Sequence, residues 1–266
     1  MWFAAISAFL YLISILLITP MLLGQSTQPQ VKLNKILFLT TALVAIISHF
    51  IALNNLFVNL SLGNNFTLIE ICSLISAMIA AIATLAMFAR VKTLWFVLPV
   101  VYCFSIINLI LQALLPEIWV YHLIQNASLL FHIALSLFAY SVCFIATLYA
   151  IQLRWIDNSL KNKKLTFSPV VPPLMTVEKH FFRSLLSGQF LLTLTLISGS
   201  IQLIDFFSAH NIQKAIFSFL AWIVFGIALF GHWKLYWRGK RMIIYTISGM
   251  ILLTIAYFGS RVIFEL

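Results

Sequence analysis

The chain has 266 residues, of which 63% are apolar and only 8% charged, and 16 Lys and Arg against 6 Asp and Glu give a net charge of +10. A soluble domain is nearer half apolar and a quarter charged, and a chain of this size folded in water could not hide so many apolar residues. The composition therefore excludes a soluble enzyme, a disordered chain and a nucleic-acid binder, and points to a polytopic membrane protein. The three cysteines, Cys72, Cys103 and Cys143, each sit in an apolar run with no Cys-x-x-Cys spacing, so neither a disulfide framework nor a zinc site is expected.

Crossing the hydrocarbon takes about 20 apolar residues in a helix. Eight segments qualify: 2–23, 36–54, 67–89, 94–115, 126–153, 185–205, 214–233 and 242–262. The expected fold is all-α, a polytopic bundle of eight transmembrane helices. The first segment lacks a positive leading region and a small-residue cleavage site, and is read as a retained helix. The second carries His49. A connection rich in Asn and Gly, Asn55 to Asn65, leads to the third, which opens at Glu70. The fifth carries Ser128, His132, Ser136 and Tyr140, spaced by four and hence on one face.

The long loop 154–184 begins basic, from Arg154 to Lys164. It passes the prolines Pro169, Pro172 and Pro173, which resist helix. It then forms an amphipathic stretch, Val177 to Phe182, expected to lie at the inner headgroup layer. The sixth span has a small and polar set (Thr195, Ser198, Gly199, Gln202), read as a close-packing face. The seventh ends at His232 beside Trp233, Tyr236 and Trp237, a pattern of interfacial anchors. The expected organisation is one integral membrane domain, with helices one to five in 1–153, a cytoplasmic loop at 154–184 and helices six to eight in 185–266. No repeat and no inverted pair of broken helices is visible.

Alternate loops hold 14 of the 16 cations; only Lys214 and Arg261 fall on the other side. Positive residues stay in the cytoplasm, so both termini are expected outside. The inner loops would also touch anionic lipid headgroups.

Ionisable groups inside a bilayer are costly and are candidates for function. The carboxylates are poorly placed for it. Glu70, Glu117, Asp205 and Glu265 are interfacial, and Asp157 and Glu178 lie in the basic loop. No pair sits mid-membrane, which argues against an ion-coupled pump. No Ser-His-Asp set, phosphate-cradling glycine loop or His-Glu-x-x-His is present, so no enzymatic activity is expected.

The histidines are more informative. His49 and His132 lie five and six residues from the outer ends of their spans, roughly 8–9 Å deep at 1.5 Å per residue. Two imidazoles at one depth on different helices could grip a metal between them. Haem suits the arrangement, because iron takes axial histidines and porphyrin is apolar. The residues leave a second reading open, in which both histidines only hydrogen-bond between helices. His122, His180 and His210 are read as loop or headgroup residues. His232, roughly 20 Å away along the membrane normal, cannot share a metal with the outer pair.

Several segments resemble the cytochrome c assembly family of haem-handling membrane proteins. They are Leu130-Phe-His-Ile-Ala-Leu-Ser-Leu-Phe-Ala-Tyr140, Leu148-Tyr-Ala-Ile-Gln-Leu153, Pro173-Leu-Met-Thr-Val-Glu-Lys179 with Phe182-Arg183, Leu191 to Gly199, Ala221-Trp222 through His232, and Ala256-Tyr-Phe-Gly259. The resemblance runs along essentially the whole chain and is closest to a branch of standalone bacterial inner-membrane proteins. It implies haem handling at the outer face, with His132 as the outer axial histidine and His232 as a contact for an intramembrane haem. Two features depart from the family pattern. Asp205 to Lys214 stands in place of the tryptophan-rich loop, and Arg261 to Leu266 follows Tyr-Phe-Gly without the second outer histidine. Both argue against ligation of haem to an apocytochrome. His49 could supply the missing outer ligand.

The leading expectation is thus a haem-binding membrane protein in a cytochrome c assembly role, contacting lipids, haem and other assembly or membrane proteins. Its proposed ligands are His49, His132 and His232. A small-solute or metal-ion transporter, or an accessory to one, and a membrane scaffold remain as alternatives.

Overall fold

The computed structural model describes residues 2–22, 28–62, 66–88, 91–114, 120–121, 127–161, 172–201, 209–237 and 239–259. A bilayer offers the backbone no partners, so each apolar run closes its hydrogen bonds internally as a helix. The helices are α1 (Trp2–Leu22), α2 (Gln28–Ala52), α3 (Asn54–Leu62), α4 (Leu68–Phe88), α5 (Leu98–Leu114), α6 (Ala127–Lys161), α7 (Leu174–Ile201), α8 (Ala209–Leu235) and α9 (Lys240–Thr254). A 3₁₀ turn, Lys92–Phe96, precedes α5, and α9 runs into a π-helical turn, Ile255–Gly259. Two short strands, β1 (Phe66–Thr67) and β2 (Val120–Tyr121), pair antiparallel with Phe66 opposite Tyr121.

Seven helices among the described residues are long and apolar enough to cross a membrane. The expected fourth span, 94–115, is α5, which at 17 residues is the shorter apolar helix. Its length is about 26 Å at 1.5 Å per residue. The 3₁₀ turn takes the residues that would have extended it.

Three expectations about connections are corrected. The Asn- and Gly-rich stretch after α2 is not all loop: Leu53 and Leu56 are buried, and this apolar register supports the helix α3. The basic loop starts later than expected, because α6 continues to Lys161, with Asp157 bonded to Lys161 at 2.8 Å on the added turns. The amphipathic stretch 177–182 is not a separate element. The Pro173 carbonyl accepts the Thr176 and Val177 amides at 2.9 and 3.2 Å, and no Gly or Pro breaks the helix before Gly188, so α7 runs through it unbroken to Ile201. The polar centre of the loop lies outside the described residues, as do Glu117, His122, Asp205, Arg261 and Glu265.

The helices fall into two compact units, the first holding α1–α5 and the second α6–α9. Within the first unit α1 packs on α2 and α5, and α4 on α2 and α5. Its centre is aromatic. Tyr11 and Tyr102 stack with centroids 5.1 Å apart, and Phe38 lies against both Tyr102 and Trp95.

Within the second unit α6 and α7 run antiparallel. His132 meets Gly199, Cys143 meets Gly188 and Tyr149 meets His180, so residue number falls along one helix as it rises along the other. Gly188 permits the close approach, since a Cβ there would lie 2.7 Å from Cys143 Sγ. Small residues let membrane helices come together where water supplies no driving force. The α8–α9 turn has left-handed backbone at Tyr236 (φ 51°) and Gly239 (φ 62°). It folds Trp237 back over Gly231, whose carbonyl accepts the Trp237 amide at 3.0 Å.

Candidate functional site: three imidazoles

His132 stands near the N-terminal end of α6 and belongs to the second unit. Its Nδ1 is 2.9 Å from Ser198 Oγ on α7, and its ring lies across Gly199. The side chain is half-buried. On the adjoining turns of the two helices Phe131, Ile197 and Ile201 are exposed, and so are the polar Ser128 and Ser200. The expected polar face of α6 exists, but its members have separate partners. Tyr140 Oη is 3.1 Å from Thr254 Oγ1 of α9, and its ring packs 5.1 Å from Tyr257 in the π-helical turn. Ser136 Oγ donates to the Ile133 carbonyl at 2.8 Å.

His232 lies three residues from the end of α8 in the same unit. Phe182 of α7 covers one face of its ring, with centroids 3.3 Å apart and planes 17° from parallel. Its Nδ1 is 3.4 Å from the Trp237 carbonyl. A carbonyl can only accept, so Nδ1 donates in this bond, and in the neutral ring Nε2 then carries the lone pair. Trp237 in turn stacks on Tyr245 at 5.4 Å, and the Arg241 guanidinium lies 5.8 Å from its ring centroid. The anchor belt read from the sequence therefore also supports the imidazole.

His49 is fully buried in the first unit. Its Nε2 is 3.0 Å from Ser73 Oγ on α4 and its Nδ1 3.4 Å from Tyr11 Oη on α1. The Tyr11 ring meets it edge-on at 5.9 Å. Both nitrogens thus have hydroxyl partners, and the side chain ties three helices together. Nearby polar bonds extend the network: Tyr102 Oη to Thr84 Oγ1 at 2.8 Å, and Ser7 Oγ donating to the Ala45 carbonyl at 2.8 Å.

Of the remaining histidines, His180 is on α7 facing Tyr149, not in a loop, and His210 falls in the first turn of α8. Among the described residues no group of three or more His, Cys, Asp or Glu side chains could hold a metal. Sequence reasoning missed Phe182 and Tyr11 as imidazole partners and assigned Ser198 only to packing. Helical spacing marks which residues share a face, but not what that face meets.

A family model described as cytochrome C assembly protein matches residues 36–266, a stretch that includes all three imidazoles. The chain belongs to the cytochrome c assembly protein family. Among curated proteins, inner membrane protein YpjD of Escherichia coli strain K12 is 39% identical over 265 residues, covering 99% of this chain and 98% of that protein. The proteins of the same name from the O6:H1 strain CFT073 and from O157:H7 match equally. No solved structure matches. Together with its apolar helices, this likeness makes the chain a multi-pass inner membrane protein.

Proposed function

We propose that this protein handles haem in cytochrome c assembly, with His132 as an axial ligand at the outer end of α6. The observation that carries the reading is a half-buried imidazole, with exposed Phe131, Ile197 and Ile201 on the adjoining turns of α6 and α7, in a member of this family. Imidazole is a suitable donor for haem iron, and an apolar rim suits the porphyrin faces. Bound haem would supply a redox-active iron, and the chain's part is to hold and orient it.

His49 is proposed as the second outer ligand, on its matched depth in the sequence. Ligation by Nε2 would require it to release Ser73, 3.0 Å away. His232 is proposed as a separate inner contact. Its Nδ1 donates to a backbone carbonyl, the arrangement that commonly orients a ligating histidine. The cation distribution supports eight crossings, with α5 as the fourth, and both termini outside. Lipids and other assembly proteins are the proposed partners. The transport and scaffold readings rest on no comparable observation.

The test is an absorption spectrum of detergent-purified protein from haem-replete cells, with a pyridine haemochrome assay. A Soret band lost in His132→Ala is expected. Colourless, iron-free wild-type protein would overturn the reading.

A further inference from the structure

An imidazole binds iron only through a nitrogen without a proton, so the tautomer of His132 decides whether its Nε2 can be a ligand. The structure places Ser198 where it can select the tautomer. Ser198 Oγ is 2.9 Å from His132 Nδ1 and donates to the Thr195 carbonyl at 3.0 Å, three residues back on α7. A serine hydroxyl has one hydrogen. With that hydrogen directed to the carbonyl, the oxygen presents only lone pairs to the ring, and Nδ1 must bring the hydrogen to their bond. Nε2 then carries the lone pair.

Gly199 completes the arrangement. A Cβ at that position would lie 3.0 Å from His132 Cε1 and 3.7 Å from Nε2, so a larger residue would require the ring to shift.

We infer that Ser198 is a positioning residue for His132, holding the Nδ1–H tautomer that leaves Nε2 able to ligate, while Gly199 keeps the space the ring occupies. As far as ligation goes, this rests on the haem reading above; the tautomer itself does not. The bond also makes the imidazole a better donor. Loss of such an outer hydrogen bond typically weakens metal affinity about 10–100-fold.

The experiment uses the full chain labelled with ¹⁵N-histidine in detergent, with the His132 signals identified by their loss in His132→Ala. Wild-type His132 is expected to show a protonated Nδ1 and a bare Nε2. Ser198→Ala is expected to shift the population toward Nε2–H, and Ser198→Thr, which keeps a hydroxyl, to restore the wild-type pattern. Hemin titration of the same samples should show affinity falling about 10–100-fold in Ser198→Ala and recovering in Ser198→Thr. A wild-type His132 already protonated at Nε2, or a tautomer unmoved by Ser198→Ala, overturns the inference. If wild type binds no hemin yet the tautomer shifts as expected, the haem reading falls and the positioning role of Ser198 stands. If hemin binds through His132 and Ser198→Ala changes neither tautomer nor affinity, the positioning role falls alone.

Discussion

Replacing Gly188 by alanine places one carbon where α6 already stands. The new Cβ would lie 2.7 Å from Cys143 Sγ, with the Cys143 amide nitrogen at 3.4 Å and its Cα at 3.5 Å. Heavy atoms sit comfortably at about 3.5–4.0 Å, so the methyl and the sulfur are about 1 Å too close. Cys143 is fully buried, so any move of its sulfur is made against packed neighbours. Either Cys143 leaves its rotamer or α6 and α7 move apart. Overpacking of this kind costs about 1–3 kcal/mol. Alanine's better helix propensity returns about 1 kcal/mol of that, so Gly188→Ala should be destabilising by up to about 2 kcal/mol. In a Cys143→Ala background the clash is gone and only the propensity gain remains, so the same substitution should be neutral or stabilising by up to about 1 kcal/mol. The coupling energy of the cycle is then about 1–3 kcal/mol in favour of the double variant. Unfolding in mixed micelles by titration with dodecyl sulfate, followed by far-ultraviolet circular dichroism, measures all four corners. Additive effects across the cycle would refute the close approach of the two helices.

Four further outcomes follow from the geometry. Gly199→Leu should displace the His132 ring and abolish its hemin binding while leaving helix content unchanged, read by hemin titration and circular dichroism; unchanged binding would contradict the packing of that ring on Gly199. His49→Ala removes the partner of Ser73 and Tyr11 and should cost about 1–3 kcal/mol whether or not haem is present. If His49 is also an axial ligand, electron paramagnetic resonance of the ferric protein should change from low-spin to high-spin in this variant, and an unchanged low-spin signal would remove it from that role. Tyr102→Phe deletes the 2.8 Å bond to Thr84 and should lower stability by about 0.5–2 kcal/mol in micelle unfolding. Phe182→Ala uncovers one face of His232 and should speed its modification by diethylpyrocarbonate, measured by peptide mass spectrometry, without altering the His132 signals.

Much of the architecture was legible before any coordinates. A bilayer cannot satisfy backbone amides and carbonyls, so a long apolar run is committed to helix almost regardless of its neighbours. α1 and α4 accordingly match their expected spans to within a residue at each end, while α2 and α8 begin eight and five residues earlier than expected. The candidate imidazoles were legible for a related reason: a titratable group among apolar residues stands out because it is costly there. The boundaries were less legible. At α7 the prolines suggested a stop and the amphipathic stretch a separate helix, but Pro173 serves as an acceptor for the first turn. At α3 the Asn residues suggested a loop, but buried Leu53 and Leu56 decide for helix.

The sequence by itself determined that the chain crosses a membrane as helices, and it marked His49, His132 and His232 as the groups to explain. Tertiary structure alone decided what each imidazole meets: two hydroxyls for His49, a serine 66 residues along the chain for His132, and a stacked phenylalanine from another helix for His232. The division has a physical cause. Partition into lipid depends on composition and length, which are local, whereas a tautomer, a ring stack or a shared hydroxyl depends on contacts between helices, which no periodicity within one helix specifies.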